Sequence, residues 1–126
     1  MKQNWDNRER RHYIRIEKHF VISYYDKNDA TVKHNISQLK NISLGGMCFI
    51  TSQQYEPRTK MGVELKTPYL DQAVHIEGAV LQSHEKVPHM IYETRLSFDD
   101  LNTAAQVALK KIVDTFSKLL MEKNNG

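Results

Sequence analysis

The sequence predicts an all-β fold with a terminal helix: a six-stranded antiparallel β-barrel capped by a C-terminal α-helix. Three observations carry this expectation. Between Phe20 and Phe98 the apolar residues fall in short runs, rich in β-branched and aromatic side chains and separated by turn formers. From about Asn102 the apolar spacing lengthens to three and four residues, the period of one helix face. The 126 residues, 40% hydrophobic and 26% charged, contain no Gly-, Pro- or Ser-rich divide, which fits one compact domain.

Phe20-Val-Ile-Ser-Tyr-Tyr25 reads as the first strand, ended by the turn formers Asp26-Lys-Asn-Asp29. Thr31 to Leu39 reads as the second, and Met47-Cys-Phe-Ile50 as a brief third. Met61 to Leu65 alternates apolar and polar residues, as does Val74 to Ile76 running into Ala79 to Leu81, so each lays one face on a core. Gly78 inside the latter run predicts a bulge or bend. Pro88 breaks the pattern over His84 to His89, after which Met90 to Tyr92 and Thr94 to Phe98 complete a hairpin. The helix is predicted over Asn102 to Leu120, with Ala105, Leu109, Ile112, Phe116 and Leu119 as its inner stripe and Ala108, Val113 and Leu120 widening it. Asp99, Asp100, Asn102 and Thr103 are candidate caps. The polar ends predict a flexible arm over residues 1–9 and a disordered tail over 122–126, around a domain spanning 10–121.

A net charge of +3 is too small for a protein that coats nucleic acid through a general basic surface. The charge is concentrated instead: Arg8, Arg10, Arg11, Arg15 and Lys18 cluster near the amino end, which points to an anionic partner. Cys48 is the single cysteine, so an intrachain disulfide and a cysteine zinc site are excluded. With no apolar run of signal-peptide or membrane-span length, the chain reads as cytoplasmic, without direct membrane insertion.

Two segments stand outside the core pattern. Arg10-Arg11-His12-Tyr13-Ile14-Arg15 is an extended lead-in to the first strand, and alone it reads as a solvated basic arm. Asn41-Ile-Ser-Leu-Gly-Gly46 lies between two strands. Alone it reads as a tight turn, with Gly45 or Gly46 at positive φ and Asn41 and Ser43 bonded to nearby backbone. In this order and spacing, Arg11 and Arg15 followed by Asn41, Ser43 and Gly46 resemble the paired signature of the PilZ domain family. The resemblance extends from about Arg10 to Leu120 and includes the Phe98-Asp-Asp-Leu101 step into the helix. Residues Gly78 to Ser83 depart from it, lacking the aromatic often found there.

The resemblance implies a bacterial receptor domain for cyclic di-GMP that changes conformation on binding and signals to an effector protein, with no cofactor. Its implied ligand residues here are Arg10, Arg11, Arg15, Asn41, Ser43 and Gly46. The chemistry is consistent, because a guanidinium forks onto guanine O6 and N7 and also stacks on the purine face, which an ammonium cannot do. By resemblance Asn41 meets a guanine edge, Ser43 bonds to the ligand or holds an arginine, and Gly46 leaves room for backbone approach. Arg10, immediately before the pair, implies two mutually intercalated ligand molecules per chain.

The remaining constellations read as structural. His84, Glu85 and His89 lie near a turn without a third firm metal ligand, so no metal is expected. Asp99 and Asp100 suit a helix start better than acid–base work, and Cys48 beside Phe49 and Ile50 reads as a small buried residue. No catalytic residue, and hence no enzyme, is read. Two alternatives stand beside the receptor. One is a small barrel binding single-stranded nucleic acid through the arginine arm, with Tyr13, Tyr24 and Tyr25 as stacking groups; low net charge weighs against it. The other is a ligand-independent PilZ-like adaptor acting through its helix. The distal Leu119-Leu-Met121 would there contact a partner or a second copy in a homodimer.

Overall fold

The computed structural model describes residues 13–67 and 72–125. The chain forms β1 (Ile14–Arg15), β2 (Val21–Asp26), a 3-10 turn (Lys27–Asp29), β3 (His34–Ile36), β4 (Gln38–Ser43), β5 (Gly46–Thr51), β6 (Lys60–Lys66), β7 (Val74–Val87), β8 (Ile91–Phe98) and the helix α1 (Thr103–Asn125). All eight strands join one antiparallel sheet in the order β1-β4-β5-β8-β7-β6-β2-β3.

The all-β architecture with one terminal helix is therefore as the sequence predicts, while the strand count rises from six to eight. Two residues, Ile14 and Arg15, are enough for β1 because Ile14 and Ile16 enter the core and fix the segment against β4. The expected strand over 31–39 is divided at Ser37. On one side of Ser37, β3 pairs with β2; on the other, β4 pairs with β5. The Ser37 carbonyl accepts the Ile16 amide at 3.2 Å, so both edges of the sheet end at this residue. The sheet curls on itself, and its hydrogen-bond ladder stops short of a closed barrel.

Pro88 does not end β7, which continues for 14 residues to Val87. Register shifts at Val80/Gln82 and Glu85/Val87 absorb its irregularity, and Pro88 instead begins the turn to β8. His89 takes φ 62° there, and the Met90 amide returns to the Val87 carbonyl at 3.0 Å. Proline followed by a positive φ is type II turn chemistry, with histidine where glycine is usual. The Glu85 carboxylate accepts the His89 amide at 2.9 Å and steadies that residue. The bulge predicted at Gly78 falls two residues later. Gly78 instead stays in register with Phe98, and a Cβ there would meet the Ser97 carbonyl oxygen at 2.5 Å.

The core lies between the inner face of the sheet and α1. Ile22, Leu39, Phe49, Val63, Leu65 and Leu96 supply the sheet side, and Leu109, Ile112 and Phe116 the helix side. Asn102 is the cap that forms: its Oδ1 accepts the Ala105 amide at 2.8 Å. The helix crosses β1, β4 and β7 and continues through Asn125, so the expected loose tail begins as its last turn. Leu119 packs partly against the core, whereas Leu120 and Met121 are exposed. None of the described helices is long and apolar enough to cross a membrane.

Candidate functional site

Alternation along the strands divides the side chains between two faces. Met47 and Phe49 on β5 and Leu96 and Phe98 on β8 lie in the core, so Cys48, Glu93 and Arg95 belong to the outer face. Tyr13 and Arg15 alternate in the same way with the core residues Ile14 and Ile16. The outer face of β1, β4, β5 and β8 is where the sequence-derived residues gather.

A β-bulge sets the frame of β4. Leu39 pairs with Phe49 and Asn41 with Cys48, leaving Lys40 as the extra residue. Leu39 and Ile42 both reach the core, while Lys40 and Asn41 are consecutive and remain outside it. The two-residue turn Leu44-Gly45 then leads into β5, with Ser43 opposite Gly46. The Ser43 hydroxyl accepts the Gly45 amide at 3.1 Å and donates to the Gly46 carbonyl at 3.5 Å. It therefore fixes its own turn, keeping one acceptor position for another group.

None of the described glycines has a positive φ, so the turn does not need glycine for backbone freedom, contrary to the expectation for Gly45 or Gly46. Gly46 is required by proximity. A Cβ on it would lie 2.1 Å from the Leu96 carbonyl oxygen, so its missing side chain admits the neighbouring strand β8.

Asn41, Ser43, Gly45 and Gly46 line a hollow of about 190 Å³ with Arg95 and Leu81. Sequence reasoning singled out neither of the last two. Arg95 is an exposed arginine between Thr94 and Leu96, both buried, so strand alternation alone could have marked it as outward-facing. Leu81 carries no such signal. It is the extra residue of the β7 bulge between Val80 and Gln82, and this leaves a leucine 59% exposed at the rim.

Arg15 is exposed and pairs with Glu17 at 2.7 Å. An exposed pair of this kind contributes little and yields readily to a better anion. Arg10 and Arg11 lie outside the described residues. Tyr13 and Tyr24 are 4% and 3% exposed, so two of the three tyrosines considered for stacking on bases offer no free ring face. Burial pushes the Cys48 thiol up to about 11, with the Glu93 charge adding to the effect, so it is not an activated nucleophile.

The chain belongs to the PilZ domain family: residues 9–115 match the family model. No curated protein matches it. Among solved structures it is similar to the Bacillus subtilis Inhibitor of motility (MotI/DgrA), with a TM-score of 0.56 at 11% sequence identity. The match covers 94% of this chain and 53% of the other, so the chain spans about half the length of that protein. At this identity the likeness is one of fold.

Proposed function

We propose that the domain spanning residues 10–121 is a cyclic di-GMP receptor that transmits ligand occupancy to a protein partner. The observation that carries this reading is the hollow in which Asn41, Ser43 and Gly46 meet Arg95, on the face of the sheet that also bears Arg15. The dinucleotide offers two phosphates and two guanines. Arg11 and Arg15 fork onto guanine O6 and N7 or pair with phosphate, and Arg95 supplies a further guanidinium from the opposite wall. Asn41 presents both an amide donor and an acceptor to a guanine edge. Leu81 gives the purine face an apolar neighbour in place of the aromatic often found in the family. Ser43 serves the site through the turn it fixes.

Arg10, ahead of the pair, adds the charge needed to hold two intercalated ligands, which together bring four phosphates to the site. Ordering of the arm on the ligand is the conformational change read by the effector, and its cost subtracts from the affinity. The domain acts by binding, in a cytoplasmic setting, without catalysis.

The test is a calorimetric titration with cyclic di-GMP, run beside cyclic di-AMP, GTP and an oligonucleotide. Saturable binding of cyclic di-GMP alone supports the reading. Absence of heat with cyclic di-GMP, or equal binding of the oligonucleotide, overturns it.

A further inference from the structure

Glu93 is a carboxylate on the outer face of a sheet, yet only 6% of it is exposed. A charge in that position needs partners, and two are present among the described residues. The Tyr13 hydroxyl donates to its Oε2 at 2.5 Å, and the Lys40 ammonium lies 3.3 Å from the same oxygen. Each partner comes from a segment of the proposed site. Tyr13 lies between the two arginines of the pair, two residues from each. Lys40 is the bulge residue immediately before Asn41.

The geometry crosses the sheet. Ile14 pairs with Leu39 on β4, whereas Glu93 lies on β8, with β5 between β4 and β8. The tyrosine thus spans the outer face from the sheet edge to a strand beyond β5. It is 4% exposed without belonging to the core cluster, and its hydroxyl reaches Glu93 on the outer face. Its neighbours Ile14 and Ile16 are anchored on the opposite face. Arg15 then projects from a segment fixed on both faces. Arg11, two residues before Tyr13, is within about 7 Å of chain from the anchored ring.

We infer that Tyr13 is a positioning residue: its hydroxyl bond to Glu93, with Lys40 completing the ion pair, fixes the segment carrying Arg15 on the face of the sheet that bears the ligand hollow. Resting on the cyclic di-GMP reading, this assigns the register of Tyr13 and Arg15, beyond the arm, to a contact made before ligand arrives. A guanidinium fork discriminates only when its planar donors are aimed, and a tether two residues away restricts that aim. The Lys40 bulge ties the same contact to the strand carrying Asn41, so both halves of the site refer to one buried carboxylate.

The experiment compares the full chain with Tyr13→Phe by titration with cyclic di-GMP, with thermal unfolding followed in parallel. The expected result is a loss of about tenfold in affinity, the scale of a hydrogen bond to a charged group. In an Arg11→Ala/Arg15→Ala background the same substitution should have no further effect, because the tyrosine acts through those arginines. An equal effect in both backgrounds would show general softening of the domain and overturn the inference. So would unchanged affinity of Tyr13→Phe when the wild-type chain binds. Absence of binding by the wild-type chain is a different result, which removes the receptor reading itself. Should Tyr13→Phe not fold, Glu93→Gln and Glu93→Met make the comparison. Glutamine keeps an acceptor for the hydroxyl and should retain binding, whereas methionine does not and should lose it; equal binding by the two overturns the inference.

Discussion

The Gly46 backbone lies so near the Leu96 carbonyl that the smallest side chain at this position would sit 2.1 Å from the oxygen. The final glycine of the motif is thereby tied to the β5–β8 pairing. Gly46→Ala should lower unfolding stability by about 1–3 kcal/mol, the usual cost of forcing extra volume into a close-packed contact. Urea denaturation measures this. At temperatures where the variant remains folded, ligand affinity should fall less than stability does; affinity lost from a variant of unchanged stability would place Gly46 against the ligand instead.

Arg11→Ala and Arg15→Ala should each cost about 1–3 kcal/mol of binding, the scale of a bidentate guanine contact. Arg15 is exposed and among the described residues pairs with Glu17, so circular dichroism should show an intact fold. Arg95→Ala should weaken binding on the same scale. If it leaves the isotherm unchanged, that wall of the hollow is not part of the site.

Arg10→Leu should move the titration endpoint from two ligands per chain toward one. Wild-type affinity should fall with added salt, because charge neutralisation is part of binding. A wild-type endpoint of one at saturating ligand would refute the two-ligand arrangement.

Burial by itself would raise the pKa of Glu93, but the Tyr13 hydroxyl and the Lys40 charge outweigh it and hold the carboxyl below its ordinary value of 4.5. The unfolded chain thus takes up this proton first as the pH falls. The contribution of Glu93 to stability is full above 4.5 and declines as the pH drops toward the folded value. Glu93→Gln removes that titration, so its stability should decline less steeply than that of the wild type below this pH. Parallel acid-denaturation curves would show that Glu93 is not held this way.

Truncation after Lys118 removes Leu119, which packs partly on the core, together with the exposed Leu120 and Met121. Cyclic di-GMP binding should survive. Self-association or capture of an effector should weaken if this end of the helix is the contact, as sedimentation and pull-down will show.

The class of fold was legible because both apolar periods are clean: the stripe from Ala105 to Phe116 is buried as written. Asn41 and Ser43 were legible as a pair facing away from the core. What escaped depends on irregular pairing. The alternation rule has no symbol for an extra residue, so Lys40 and Leu81 could not be read as bulges. Glu93 followed the same rule as an ordinary outward polar position. Its burial under Tyr13 joins residues 80 positions apart, a contact that no local pattern encodes. Pro88 misled in the other direction, because its place in a turn was read as the loss of the strand before it.

The extra residue in β4 lets one strand keep two separate tallies of inside and outside. Counted in twos from Leu39, Asn41 would face the core and Ile42 the solvent; after Lys40 the count restarts and both assignments reverse. Deleting Lys40 would remove the bulge with the charge: Asn41 would follow Leu39 directly, and plain alternation would still place Asn41 and Ser43 outside and Ile42 inside. Keeping the residue while closing the bulge would instead turn Asn41 inward and expel Ile42, exchanging ligand face for core along the rest of the strand. A graft of this motif onto another hairpin must therefore carry the bulge or omit the lysine position, because either choice keeps the frame in which Asn41 and Ser43 face a ligand.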